Sequence, residues 1–330
     1  MEEAKKLLEK ALKKWHGNKI LYYKHVILLL KLGVLKKNND CFASALELVD
    51  LLKNPANKQE EEELEQVLTI ILAEELYELE FVFEKLKEIG KNGNTEVQFL
   101  LGSMYEWGLG ADQNDQKAFE WYRMAAELGH ERAQVSLGSL YYGGGNGGNI
   151  EQDFEQAAKW FTMAAERGND LGEFLLGKMY AKGEFVEQNY EEAVKWFKKS
   201  AEQGNSYGQA ALGQMYITGD GIEQNLKEAA RWLRRASEEG NKRAQTILGS
   251  MYIEGSGVEQ NFEEAFKWLR KSAELGNPEG QYLLSHMYLN GVGVKKDDDE
   301  SLKWLVRSVE GGNAEARKYF EGLLENAARS

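Results

Sequence analysis

The sequence predicts an all-α solenoid, a stack of helix pairs in which each pair buries its apolar face on its neighbours. Three observations point there. The stretch Asn189-Tyr-Glu-Glu-Ala-Val-Lys-Trp returns in close variants at Asn225 and Asn261, setting Trp196, Trp232 and Trp268 at intervals of 36 residues. A fixed period of that size is the mark of stacked supersecondary units. Each copy follows a Leu-Gly-x-Met-Tyr-like stretch with the spacing of an amphipathic helix. Proline, finally, occurs at only 2 positions in 330, as a mostly helical chain requires.

Residues 1–58 read as three helices. The apolar sets are Leu7, Leu8, Ala11, Leu12 and Trp15; then Leu21, Val26, Leu29, Leu30 and Leu32; then Phe42, Ala45, Leu46, Val49 and Leu52. Asn54-Pro55 closes the last, where a lysine-rich stretch gives way to the acidic run Glu60–Glu65. Residues 59–94 carry two further apolar patterns and end at Gly93-Asn94, in register with the array, so they read as a degenerate repeat without the tryptophan. Residues 95–313 hold six clear copies, and 314–330 begin another first helix that reads as a C-terminal cap.

Within each copy the first helix carries a leucine, a glycine and a tyrosine, as in Leu101, Gly102 and Tyr105 or Leu212, Gly213 and Tyr216. Leu284-Ser285 departs by replacing the glycine. Gln98, Gln134, Gln209, Gln245 and Gln281 lie on the same face, three before the leucine. A glycine-containing loop follows, such as Gly219-Asp-Gly-Ile-Glu-Gln-Asn225. Its asparagine is the expected N-cap of the second helix, with Glu three residues on (Asn189 and Glu192, Asn225 and Glu228, Asn261 and Glu264), the spacing of a capping box. The second helix should stop at Gly129, Gly168, Gly204, Gly240, Gly276 and Gly312. Small residues at Ala118, Ala157, Ala193, Ala229, Ala265 and Ser301 would let helices approach closely, and the tryptophan three residues later would fill the space between repeats. The insertion Tyr142–Asn149 lies in an interhelix loop and leaves the stack unbroken.

These motifs, repeated six times, resemble the Sel-one-like repeat family, a relative of tetratricopeptide repeats with a longer loop. The resemblance implies a right-handed superhelix of antiparallel helix pairs and a role as an adaptor in protein complexes. Residues 1–58 resemble ordinary tetratricopeptide helices.

Composition excludes several functions. A net charge of −13 and a pI of about 5.1 argue against nucleic-acid binding and against anionic membrane surfaces. The longest apolar run, Val26–Leu30, is too short to span a bilayer, and the N-terminus lacks a signal-like pattern. The single cysteine, Cys41, fits a reducing compartment, so a cytoplasmic protein is expected. The glycine run Gly143–Gly148 lacks the Lys-Ser/Thr of a phosphate loop. His16, His25, His130 and His286 fall at unrelated repeat positions without metal-ligand spacing. The acidic clusters Glu60–Glu63 and Asp297–Glu300 read as solvated helix starts. No catalytic, cofactor or metal constellation emerges, and the chain is expected to be a monomeric, non-enzymatic protein.

What distinguishes the copies is a variable stripe, at six and three residues before the repeat glycine and one and four after it. These offsets share one side of the first helix. They select Glu96, Phe99, Ser103 and Glu106; Arg132, Val135, Ser139 and Tyr142; Leu171, Phe174, Lys178 and Ala181; Tyr207, Ala210, Gln214 and Ile217; Arg243, Thr246, Ser250 and Ile253; and Glu279, Tyr282, His286 and Leu289. The resemblance implies that this stripe faces a concave surface. Its aromatic, aliphatic and charged members are the expected partner-binding residues: Phe99, Glu106, Arg132, Val135, Tyr142, Leu171, Phe174, Lys178, Tyr207, Gln214, Ile217, Arg243, Ile253, Glu279, Tyr282 and His286. The expected partner is a protein or peptide. A second reading makes the array a sensor or regulatory segment of a larger enzyme or effector.

Overall fold

The computed structural model describes residues 83–329, except 85, 89, 109, 110 and 146–149. The three helices expected in 1–58, the start of the degenerate repeat, Cys41, His16 and His25 lie outside those residues. All regular structure among the described residues is helical. The pairs are α1 (Thr95–Trp107) with α2 (Asp115–Glu127), α3 (Glu131–Gly143) with α4 (Phe154–Glu166), and α5 (Asp170–Lys182) with α6 (Tyr190–Glu202). They continue as α7 (Ser206–Thr218) with α8 (Leu226–Glu238), α9 (Lys242–Glu254) with α10 (Phe262–Glu274), and α11 (Pro278–Asn290) with α12 (Asp298–Glu310). The last helix, α13 (Ala314–Arg329), occupies the place of a first helix. The chain divides into two compact units, 1–160 and 161–330, with the division inside α4.

Each helix begins where an acceptor side chain meets an orphan backbone donor. Asn189, Asn225 and Asn261 accept from the amides of Glu192, Glu228 and Glu264. The reciprocal half of the expected capping box is not made. The cap's own N–H is already taken by a carbonyl of the preceding helix: Asn189 N–H donates to Tyr180 O and Asn225 N–H to Tyr216 O. The glutamates turn instead to cations one turn on, Lys195, Arg231 and Lys267.

The pairs close through small residues. In α7 a Cβ on Gly213 would stand 2.7 Å from Leu233 Cγ and 3.3 Å from Ala229 O of α8, so only glycine allows this approach. Gly102 faces the Tyr122 ring in the same way, at 2.5 Å. Ala229 and Ala265 are fully buried, with Leu248, Leu269 and Met287 in the same core cluster. Trp232 packs on a cluster formed by Ala193 and Phe197 of the preceding repeat and Leu212 of its own. In the last four repeats a cation lies over the indole face one turn further along, as Lys199 over Trp196 at 3.9 Å and Arg235 over Trp232 at 4.8 Å.

Polar links join successive layers. Gln245 Nε2 donates to Ser237 O at 3.0 Å and Gln281 Nε2 to Ala273 O at 3.2 Å, each reaching back to the end of the previous second helix. Ser272 Oγ donates to Lys242 O and Ser308 Oγ to Pro278 O, both at 2.6 Å, fastening the end of a second helix to the start of its partner. Satisfying buried polar groups in this way fixes the register of the stack. Among the described residues no helix is long and apolar enough to cross a membrane.

Candidate interaction face

The first helices are held at both ends, and that sets which way their variable stripe faces. Asn205 accepts from Gly208 N at the start of α7, and Gly219 ends the helix in the left-handed region with its N–H on Met215 O. With the Leu–Gly–Tyr face committed to the second helix, the stripe is left beside the core.

In the 1–160 unit the apolar members of the stripe are largely closed, while Glu96, Arg132 and Ser139 are exposed. Phe99 is 4% exposed, its ring 4.7 Å from that of His130 and 5.6 Å from that of Tyr122. Val135 is likewise 4% exposed. These two side chains belong to the packed interior, which corrects their expected placement on a binding surface. The reason is their offset: three before the repeat glycine points toward the start of the next repeat. Thr246 shows the same geometry, its Oγ1 2.7 Å from Ser272 Oγ inside the stack. Glu106 is half-buried and accepts from Tyr122 Oη, whose oxygen also lies 2.8 Å from Ser103 Oγ. Arg132 is exposed, and Tyr142 is half-buried, edge-on to Phe154 at 5.4 Å.

The 161–330 unit differs in exposing an aromatic member of the stripe. Tyr207 is 59% exposed, its ring 5.6 Å from that of Phe174, which in turn lies 5.9 Å from that of Phe197. Arg243 and Glu279 are exposed, and Glu279 accepts from Asn313 Nδ2 at 2.7 Å. Leu171, Lys178 and Gln214 are half-buried. Ile217 and Ile253 are half-buried too, with one side on the core cluster. Tyr282 and His286 are half-buried and meet edge-on at 4.6 Å, with Tyr319 of α13 5.2 Å from the imidazole. Burial pushes the Tyr282 phenol up and holds the His286 imidazole below its usual range.

Three features were missed by the sequence reading. His130 is the N-cap of α3: its Nδ1 accepts from Ala133 N at 3.1 Å while Nε2 lies 3.1 Å from Glu96 Oε1. Asn205 performs the same two tasks elsewhere, capping α7 and donating to Asp170 Oδ2. Glu173 stands where five other copies carry glutamine; it is buried, accepts from Gln203 Nε2 at 2.8 Å, and burial raises its pKa. Phe185 adopts φ +65°, where the corresponding residues of the next three loops are Gly221, Gly257 and Gly293. Each of these was visible as a departure from the repeat consensus.

Among the described residues no cluster of three or more His, Cys, Asp or Glu could hold a metal ion. The face offers apolar patches, hydrogen-bonding groups and scattered charge.

The fold and this face define an α-solenoid repeat protein. The Sel1 repeat family matches residues 95–130, 131–169, 171–205, 206–241, 242–277 and 278–313, and the chain belongs to that family. It is similar to the crystal structure of a protective antigen of uropathogenic Escherichia coli with an SLR fold: 36% identity, TM-score 0.63, 74% of this chain and 52% of that one. The chain thus spans about half the length of that antigen. A Sel1 repeat protein from Oxalobacter formigenes is 30% identical over 73% of this chain and 95% of its own, with a TM-score of 0.65. Sel1 repeat proteins generally mediate protein–protein interaction, and the fold is typically a non-catalytic scaffold.

Proposed function

We propose that this chain is a non-enzymatic adaptor that holds a peptide or a loop of a protein partner along the first-helix face of the 161–330 unit. The observation that supports it most is Tyr207. A 59% exposed tyrosine with its ring against Phe174 is a large apolar surface that the repeat core does not require. Arg243 and Glu279 recur at the same offset in later copies and give that surface charge of both signs. Tyrosine and arginine are the residues most enriched among interface anchors. The reading of this face as the concave side is carried over from the family resemblance, and the single cysteine supports the reading of a cytoplasmic protein.

Affinity capture from source lysate followed by mass spectrometry tests the reading, comparing wild type with a Tyr207→Ala/Arg243→Ala variant. Both replaced side chains are exposed, so the variant should keep the wild-type melting temperature. A partner retained by wild type and lost by the variant is the expected result. Equal retention by both would reject this face.

A further inference from the structure

The loop edge of the 161–330 unit carries a feature that the groove reading leaves unused. The loops joining first to second helices run 183–189, 219–225 and 255–261. Their third residues are Phe185, Gly221 and Gly257, and all three sit in the left-handed region, at φ 65°, 68° and 72°. Glycine is what the site asks for. A Cβ on Gly221 would stand 2.3 Å from Tyr190 C, and one on Gly257 would stand 2.2 Å from Leu226 O. The same contacts show that loops 219–225 and 255–261 lie directly against the starts of α6 and α8, where loops 183–189 and 219–225 end, so the three loops form one continuous edge.

At this position Phe185 is anomalous twice over. A bulky residue in the left-handed region is a genuine outlier, and strained backbone of this kind collects at functional positions. Its side chain also gains no burial to offset the strain, being 57% exposed. Tyr190, at the start of α6 and against Gly221, is a second exposed aromatic on the same edge. Around them these three loops hold Glu184, Glu187, Asp220, Glu223 and Glu259 and no lysine or arginine, whereas the fourth loop of the series, 291–297, carries Lys295 and Lys296. Glu184 is paired with Lys182 at the end of α5, while Glu187, Glu223 and Glu259 face solvent.

We propose that this edge is a second docking surface, with Phe185 as its anchor, for a basic segment of a partner protein that carries an aliphatic or aromatic side chain. The apolar side chain covers the Phe185 ring and the basic residues meet the acidic loops. The excess of acidic charge around Phe185 selects the opposite sign on the partner and speeds encounter. The surface is independent of the first-helix face proposed above.

The test is selection of a phage-displayed random-peptide library on the whole chain, followed by binding of synthetic selected peptides to variants. Phe185→Gly is a clean probe, since glycine suits the backbone and the variant should melt close to wild type. Enrichment of Lys/Arg-rich peptides with one large apolar residue is expected. Those peptides should bind Phe185→Gly at least about tenfold more weakly, as for loss of an anchor residue, and bind Tyr207→Ala as well as wild type. The proposal is overturned if no such family is enriched. It is also overturned if the selected peptides are not basic, or if they lose affinity to Tyr207→Ala but not to Phe185→Gly.

Discussion

The first repeat and the repeats of the 161–330 unit are built on one plan and treat their variable stripe differently. In the first repeat the residue after the tryptophan is Tyr122, and its hydroxyl reaches the stripe at both Ser103 and Glu106. The corresponding residues in the other unit include Phe197, Leu233 and Leu269, which have no hydroxyl to offer. Phe99 is sealed against the rings of Tyr122 and His130, whereas Phe174, at the same offset, is only half-buried and supports the exposed Tyr207. In the first repeat a hydroxyl on the second helix ties part of the stripe into internal bonds; the other unit has no hydroxyl there and carries the exposed Tyr207.

The largest effect is expected where the closure is tightest. Gly102→Ala would drive a methyl into the fully buried Tyr122 ring, and chemical denaturation should show a loss of about 1–3 kcal/mol. Tyr122→Phe keeps the packing and removes the hydroxyl. It leaves buried Ser103 without that partner, so a loss of about 1–2 kcal/mol is expected, with faster amide exchange in α1. A loss near zero would mean that the hydroxyl contributes nothing to closing the stripe.

Two pH profiles sharpen the comparison within the other unit. The folded pKa of Glu173 is raised by burial, so its contribution is fully present below the unfolded carboxyl range and is lost as pH rises through the folded value. Glu173→Gln should therefore gain stability at neutral pH and lose that part of the pH dependence in denaturant titrations. His286 has the opposite sign. Its folded pKa is depressed by burial, so its contribution is present above the usual imidazole range and lost as pH falls through the folded value. His286→Gln should flatten the mildly acidic part of the profile. Tyr207→Ala, on an exposed side chain, should change stability by less than about 0.5 kcal/mol.

Much of this was legible in the sequence because the repeat is its own alignment. The period, the Asn caps at 189, 225 and 261, the left-handed glycines that end the second helices, and the close approach of Gly213 to α8 each recur often enough to be read. The half-made capping box was not legible, because the competitor for the cap's N–H is a carbonyl nine residues back, Tyr216 O for Asn225. The stripe was legible as a set of offsets but not as a set of exposures. Variability marks both surface positions, such as Tyr207 and Arg243, and interlayer positions such as Phe99 and Val135, where each copy adapts to its own neighbour. Glu173 and Phe185 are the opposite case: single departures from a strong consensus, at positions that do not vary in every copy.

Hydroxyl-radical footprinting with and without the captured partner tests the central claim most directly, since it reads side-chain exposure residue by residue. The account predicts rapid labelling of Tyr207 in the free protein, marked protection once the partner binds, and little labelling of Phe99 in either state. Labelling of Tyr207 that is unchanged by the bound partner would contradict it.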